Sequence, residues 1–164
     1  MALKRKRGYT LVEVMMTVAI IGIVGGMAVP LLMNMTNFWR QTTARNAIQR
    51  DVRTSLDMIN RFARQAKSST VVIDAVSGQP PCSRLTYTSI QGETVVFYQT
   101  GNKLYMSLAG KTTMLTENLA YVAFTFPRTD DITLLSVAIT AQSATFRGGK
   151  KALQLSIQKV RIMN

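Results

Sequence analysis

KRKRGYTLVEVMMTVAIIGIVGGMAVP, residues 4–30, sets four basic side chains and a glycine before an apolar run that holds a single acid, Glu13. No charged side chain occurs from Val14 to Trp39. As a helix that stretch is about 39 Å long at ~1.5 Å per residue, more than the ~20 residues a bilayer core needs. Lys4, Arg5, Lys6 and Arg7 directly before it stay on the cytoplasmic side by the positive-inside rule, so the bulk of the chain lies across the membrane. A carboxylate within such a segment is costly in lipid and tends to be functional. Two plainer explanations compete. One is a secretory signal peptide cleaved at the small-x-small site Gly26-Met27-Ala28, leaving an N-terminus near Val29. The other is an uncleaved anchor. Neither gives Glu13 a task.

The totals restrict the chemistry. The chain has 164 residues, 47% of them hydrophobic, enough for one modest domain plus an appendage. Twenty Lys and Arg against eight Asp and Glu give a net charge of +12, with Lys4–Arg7 supplying four of those charges. There is one cysteine, Cys82, and no histidine. An intrachain disulfide is therefore impossible, and His-based zinc sites and Ser-His-Asp catalysis are excluded. Gly110-Lys111-Thr112 ends like a P-loop, but position 105 is Tyr where that motif needs Gly. Asp130-Asp131 reads as a solvent-facing turn, Glu93 and Glu117 as residues at strand ends, and Cys82 as a thiol without a catalytic partner. No enzyme, metal or cofactor is expected.

Gly8-Tyr9-Thr10-Leu11-Val12-Glu13, with the basic leader before it and Gly22 and Pro30 after it, resembles the processing site and helix of type IV pilins and type II secretion pseudopilins. The resemblance implies that prepilin peptidase cuts between Gly8 and Tyr9 and methylates the new N-terminus. Glu13 then becomes the fifth residue of the mature chain. Tyr9 stands where phenylalanine is usual and keeps the ring. The resemblance further implies that Glu13 meets the Tyr9 amine of a neighbouring subunit, which turns two charges that are unfavourable in lipid into one neutral pair. Gly22 and Pro30 are its other implied assembly positions. The implied partners are prepilin peptidase, fellow pilins or pseudopilins, an assembly platform and the inner membrane. The GxxxG spacing Gly22–Gly26 suits close helix contact or plain membrane-helix composition equally. Pro30 predicts a kink or local melting over residues 26–30.

Beyond Arg40 the pattern changes. Ile48, Val52, Leu56, Ile59, Phe62 and Ala66 recur every three or four residues, which predicts an amphipathic helix. Arg50, Arg53, Arg61 and Arg64 fall on roughly the opposite face. That stripe is a solvated face attracting anionic headgroups or acidic neighbours, or else a DNA-binding surface as in competence pilins. Trp39 fits a membrane-interface anchor.

After Lys67 the sequence turns to strands. Expected are 71–76, 84–90, 94–100, 103–108, 121–126, 133–140 and 153–162. Gln91-Gly92 and Gly101-Asn102 suit two-residue hairpin turns, and Arg147-Gly148-Gly149-Lys150 another turn. Leu153, Leu155 and Ile157 alternate with polar residues, and the parity then slips to Val160 and Ile162, which predicts a bulge near Lys159. The expected fold is α+β: a long N-terminal helix packed on an antiparallel sheet. Its divisions are a cleaved leader (1–8), a membrane and assembly half of the helix (9–35), an amphipathic half (36–67) and a periplasmic β-rich domain (68–164). The Arg-rich helix end INRFARQAKSS (59–69) followed by many strands resembles the larger minor members, of the PilW or GspJ kind, and a single cysteine rules out the C-terminal disulfide-bounded loop that major pilins often carry. The expected function is a minor pilin or minor pseudopilin. The alternatives are a DNA-binding minor pilin of an uptake apparatus and a periplasmic protein with an ordinary signal peptide.

Overall fold

The computed structural model describes residues 8–144 and 151–163. Lys4–Arg7 and the expected turn at 147–150 lie outside them. The first element is a helix, α1, Leu11–Ala63. Residues 26–30 are helical, so the local melting expected at Pro30 does not occur. A proline removes one intrahelical hydrogen bond, and the remaining bonds of that turn keep the conformation. The chain divides into two compact units between Arg40 and Gln41. In the first, the side chains of residues 11–40 are exposed, including Val18, Ile21, Ile23, Leu31 and Trp39.

The second unit holds the core. From 41 to 63 the helix is amphipathic in structure as well as in pattern: Ile48, Val52, Leu56, Ile59 and Ala63 are buried. Phe62 is half-buried against the same cluster, and Ala66 just beyond the helix joins it. The last turn tightens, with Gln65 N–H donating to the Phe62 carbonyl and Ala66 N–H to Ala63. Lys67 N–H then reaches the Thr88 carbonyl, which ties the helix exit to the first sheet.

Eight strands follow: β1 (Val72–Asp74), β2 (Arg84–Thr88), β3 (Thr94–Thr100), β4 (Lys103–Leu108), β5 (Lys111–Thr116), β6 (Leu119–Thr125), β7 (Leu134–Ala144) and β8 (Lys151–Arg161). They form two antiparallel sheets, β1-β2-β3-β4-β5 and β6-β7-β8. The inward residues of both share one core with the helix: Leu85, Tyr87, Val95, Phe97 and Leu104 from the first sheet, and Val122, Phe124, Leu135, Val137 and Ile139 from the second. Burying a side chain of this size is worth roughly 1.5–3 kcal/mol. This is the α+β layout, a long N-terminal helix packed against antiparallel sheets.

Strand β5 is not among the sequence expectations. Lys-Thr-Thr-Met-Leu-Thr lacks an apolar alternation, and its first four side chains are exposed. The signal lay in the turn before it. Ala109 and Gly110 both adopt positive φ (48° and 85°), the two-residue I′ geometry that joins β4 to β5. The Gly110-Lys111-Thr112 tripeptide is thus a hairpin tip. Gly101-Asn102 does form a two-residue turn, with Thr100 facing Lys103. The two-residue turn expected at Gln91-Gly92 is instead a three-residue loop, Ile90-Gln91-Gly92: Ser89 N–H donates to the Glu93 carbonyl, Gly92 N–H donates to the Ser89 carbonyl, and Gly92 takes a positive φ of 87°.

The predicted bulge near Lys159 is absent. β7 and β8 pair without a register shift, from Leu134↔Arg161 to Ala144↔Lys151. Val160 and Ile162 face the core at 2% and 3% exposure. Strict period-two alternation therefore turns Leu155 and Ile157 outward. The register shifts that do occur lie between Leu104 and Tyr105 on β4 and between Leu119 and Tyr121 on β6.

One buried amide joins the two sheets. Gln99 on β3 is 3% exposed. Its Oε1 accepts from Val122 N–H at 3.1 Å, and its Nε2 donates to the carbonyls of Gly101 (2.9 Å) and Ala120 (3.4 Å). Phe124 N–H donates to the Cys82 carbonyl and Leu119 N–H to that of Asn102. The outer edge of β6 is thereby satisfied.

Candidate processing and assembly site

The motif residues sit where the helix begins. Gly8, Tyr9 and Thr10 are exposed and non-helical, and α1 starts at Leu11. The Gly8–Tyr9 bond thus lies in non-helical chain just ahead of a helix, and Tyr9 is 86% exposed. A peptidase needs an unravelled, accessible bond, and this one meets that need without local unfolding.

Thr10 and Glu13 close the helix start on each other. Glu13 N–H donates to Thr10 Oγ1 at 3.3 Å, and Thr10 N–H donates to Glu13 Oε2 at 3.3 Å. The Thr10 hydroxyl also donates to Glu13 Oε2 at 3.4 Å. This is a capping box, in which residues three apart satisfy each other's free amides. An acid in the first turn also meets the positive end of the helix dipole. The sequence spells the motif as Thr10-Leu11-Val12-Glu13, and reading Glu13 only as a carboxylate in lipid missed it. Within a single chain Glu13 therefore already has partners.

Gly22 and Pro30 lie farther along the exposed apolar part of α1. A Cβ added at Gly22, Gly25 or Gly26 would meet nothing within 4 Å in the described chain. Of the described residues, α1 supplies one helix long and apolar enough to cross a membrane.

Arg50, Arg53, Arg61 and Arg64 are all exposed. Asp57, also exposed, sits between them, four residues from Arg53 and four from Arg61. Arg64 Nε donates to Asn60 Oδ1 at 3.1 Å. A shallow cleft of about 370 Å³ is lined by Asp57, Asn60, Arg61, Arg64 and Gln65. The stripe is consequently of mixed sign at its centre. Sequence reasoning that listed only the arginines overlooked the aspartate among them.

Elsewhere two carboxylates have structural partners. Asp74 and Arg84 form a bidentate pair between β1 and β2, the one ion pair among the described residues. The hydrogen bonds from Arg84 hold the Asp74 carboxyl below its usual range. Asp131 accepts from Thr133 N–H at 2.9 Å and from its hydroxyl, which lowers its carboxyl likewise. Cys82 is half-buried at a positive φ of 60°. Among the described residues no group of His, Cys, Asp and Glu is arranged to hold a metal ion.

No curated protein and no solved structure matches the chain. Residues 3–29 match the family model described as the prokaryotic N-terminal methylation motif. Together with the exposed, non-helical segment Gly8–Thr10 and the apolar helix that follows, this match supports the type IV pilin and pseudopilin class, whose members are structural subunits anchored in the inner membrane, processed by prepilin peptidase and assembled with other pilins.

Proposed function

We propose that this chain is a minor subunit of a type IV pilus or a type II secretion pseudopilus. Prepilin peptidase removes residues 1–8, and Tyr9 becomes the methylated N-terminus. The apolar part of α1 holds the subunit in the membrane with residues 68–164 on the far side, until that helix enters a filament. There Glu13 leaves its own cap to pair with the Tyr9 amine of a neighbour. The observation that carries this function is the methylation motif at 3–29, which leads into a helix whose apolar side chains are exposed. The minor role is supported by the Arg-rich helix end at 59–69 with many strands after it, and by the single cysteine, which allows no disulfide-bounded loop.

Intact mass measured with and without prepilin peptidase tests it. The expected product begins at Tyr9 and carries one added methyl group. A mature chain that keeps Lys4–Arg7, or begins near Val29, would exclude it. In sheared filaments the subunit is expected far below the major pilin in amount. A DNA-uptake role rests on the arginine stripe alone, and Asp57 at its centre favours an acidic and basic protein neighbour over a uniform polyanion.

A further inference from the structure

We infer that the outer edge of β8 is an interaction surface that receives an extended, acidic segment of a different protein as an added strand. The inference uses only the β7–β8 hairpin and does not depend on the filament role. The sheet edges differ in how they are protected. β1 is three residues long, β5 starts with Lys111 and pairs through a register shift, and β6 is satisfied by Cys82, Gln99 and Asn102. Such devices are how soluble proteins blunt their edges. β8 has none of them over its middle. It is eleven residues long, regular throughout, and uncharged from Ala152 to Gln158, with no Gly or Pro. Among the described residues nothing pairs with its outer side.

Its outward face is patterned. Leu155 and Ile157 are 59% and 62% exposed, and Lys159 and Arg161 follow on the same face, also exposed. Neither cation forms an ion pair among the described residues. An antiparallel partner strand that matches this face reads acid, acid, apolar, apolar at alternate positions. Backbone hydrogen bonds give such strand addition its affinity and alternate side chains its selectivity.

A second copy of this chain fits poorly. Antiparallel self-pairing with Leu155 opposite Ile157 sets Arg161 opposite position Lys151. Pairing Leu155 with itself sets Lys159 opposite Lys151, and pairing Ile157 with itself sets Lys159 against Leu155. Like charges directly opposite one another destabilise a ladder. The net charge of +12 acts in the same direction.

The test uses the full chain in detergent micelles with a synthetic peptide, Glu-Thr-Glu-Thr-Val-Thr-Val, capped at both ends and held at millimolar concentration. Amide hydrogen exchange across β8 is expected to slow at least about tenfold. A peptide with Lys in place of Glu is expected to give no slowing. Ile157→Lys is expected to abolish the effect, with an unchanged thermal midpoint because the side chain is exposed. Should Ile157→Lys unfold, Ile157→Thr is the substitute, with weakened protection expected. Lys159→Glu with Arg161→Glu is expected to transfer the preference to the lysine peptide. No slowing, equal slowing by both peptides, or slowing that survives Ile157→Lys would each overturn the inference. So would concentration-dependent dimerisation of the chain that Ile157→Lys removes.

Discussion

The Glu13 carboxylate accepts the backbone N–H of Thr10 at 3.3 Å, so the acid that the membrane segment retains is also the residue that closes its own helix. The proposed assembly would give the same side chain a second role, as the ionic partner of a neighbour's Tyr9 amine, beside the local cap that the chain shows. Glu13→Gln separates them. The amide oxygen still accepts from Thr10, so the cap survives, but the charge is gone. We expect Glu13→Gln to be inserted and cleaved normally yet to enter filaments at least about tenfold less than wild type, equivalent to ~1.4 kcal/mol of lost pairing. Wild-type incorporation measured by immunoblot of sheared filaments would show that capping alone explains the acid. Thr10→Val, in contrast, should weaken the first turn by ~1 kcal/mol while leaving the charge intact. Faster amide exchange over residues 11–14 would report it.

Gln99 is the buried polar link between the sheets, and Gln99→Leu keeps its approximate size while removing every hydrogen bond it makes. The Val122 N–H then loses its acceptor in a place where water does not reach. Leaving a buried donor unpaired costs about 1–3 kcal/mol. Thermal unfolding of the chain in micelles should show the midpoint lowered accordingly. Glu at the same position should be worse, because it retains an acceptor for Val122 but loses the amide that serves Gly101 and Ala120 and brings a charge inside.

Tyr87 presents the opposite case. Its ring fills the core at 1% exposure, yet its hydroxyl is buried without a hydrogen-bond partner. Removing that oxygen removes a desolvated polar atom and little packing, so Tyr87→Phe should leave stability unchanged or raise it by up to ~1 kcal/mol. Alkaline titration gives a second readout. Burial pushes the Tyr87 phenol well above its ordinary value of 10.0. A phenol whose folded pKa is raised leaves stability level below the unfolded pKa and erodes it as pH rises beyond that value, because the unfolded chain then releases a proton that the folded chain retains. Wild type should therefore lose stability above about pH 10 more steeply than Tyr87→Phe, as measured by denaturant midpoints against pH.

What the sequence conveyed and what it did not can be traced to particular residues. The apolar period of Ile48, Val52, Leu56 and Ile59 announced a helix face, because a helix reports its buried side at fixed spacing whatever it packs on. The motif from Gly8 to Glu13 announced the class that the match at residues 3–29 supports. The sheet was harder. β5 is Thr-rich and mostly exposed, so it has no inward set to alternate. β8 carries its apolar residues Leu155 and Ile157 on the solvent side, and a rule that sends apolar residues inward converts that into a bulge that does not exist. The Gln99 link joins strands far apart in sequence and leaves no local signature. The Thr10–Glu13 cap was fully spelled in four letters, and was hidden only by attention to the charge.

The Asp74–Arg84 pair gives an acid-side prediction. Both side chains are more than a third exposed, at 39% and 37%, so solvent and salt screen the pair and its worth stays below ~1 kcal/mol. Its sign is nevertheless fixed. Hydrogen bonds from Arg84 lower the Asp74 pKa from 3.8 in the folded chain. A carboxyl with a depressed folded pKa contributes stability above the unfolded value and loses it as pH falls through the folded one. The pair fastens the short edge strand β1 to β2, where few other contacts do so. Asp74→Asn should therefore lower the thermal midpoint slightly near neutral pH and leave it unchanged once pH falls well below 3.8, where wild type has lost the same interaction. Added salt should narrow the gap between the two proteins at neutral pH. A difference that persists undiminished at acid pH would assign the effect of Asp74 to the shape of the strand rather than to its charge.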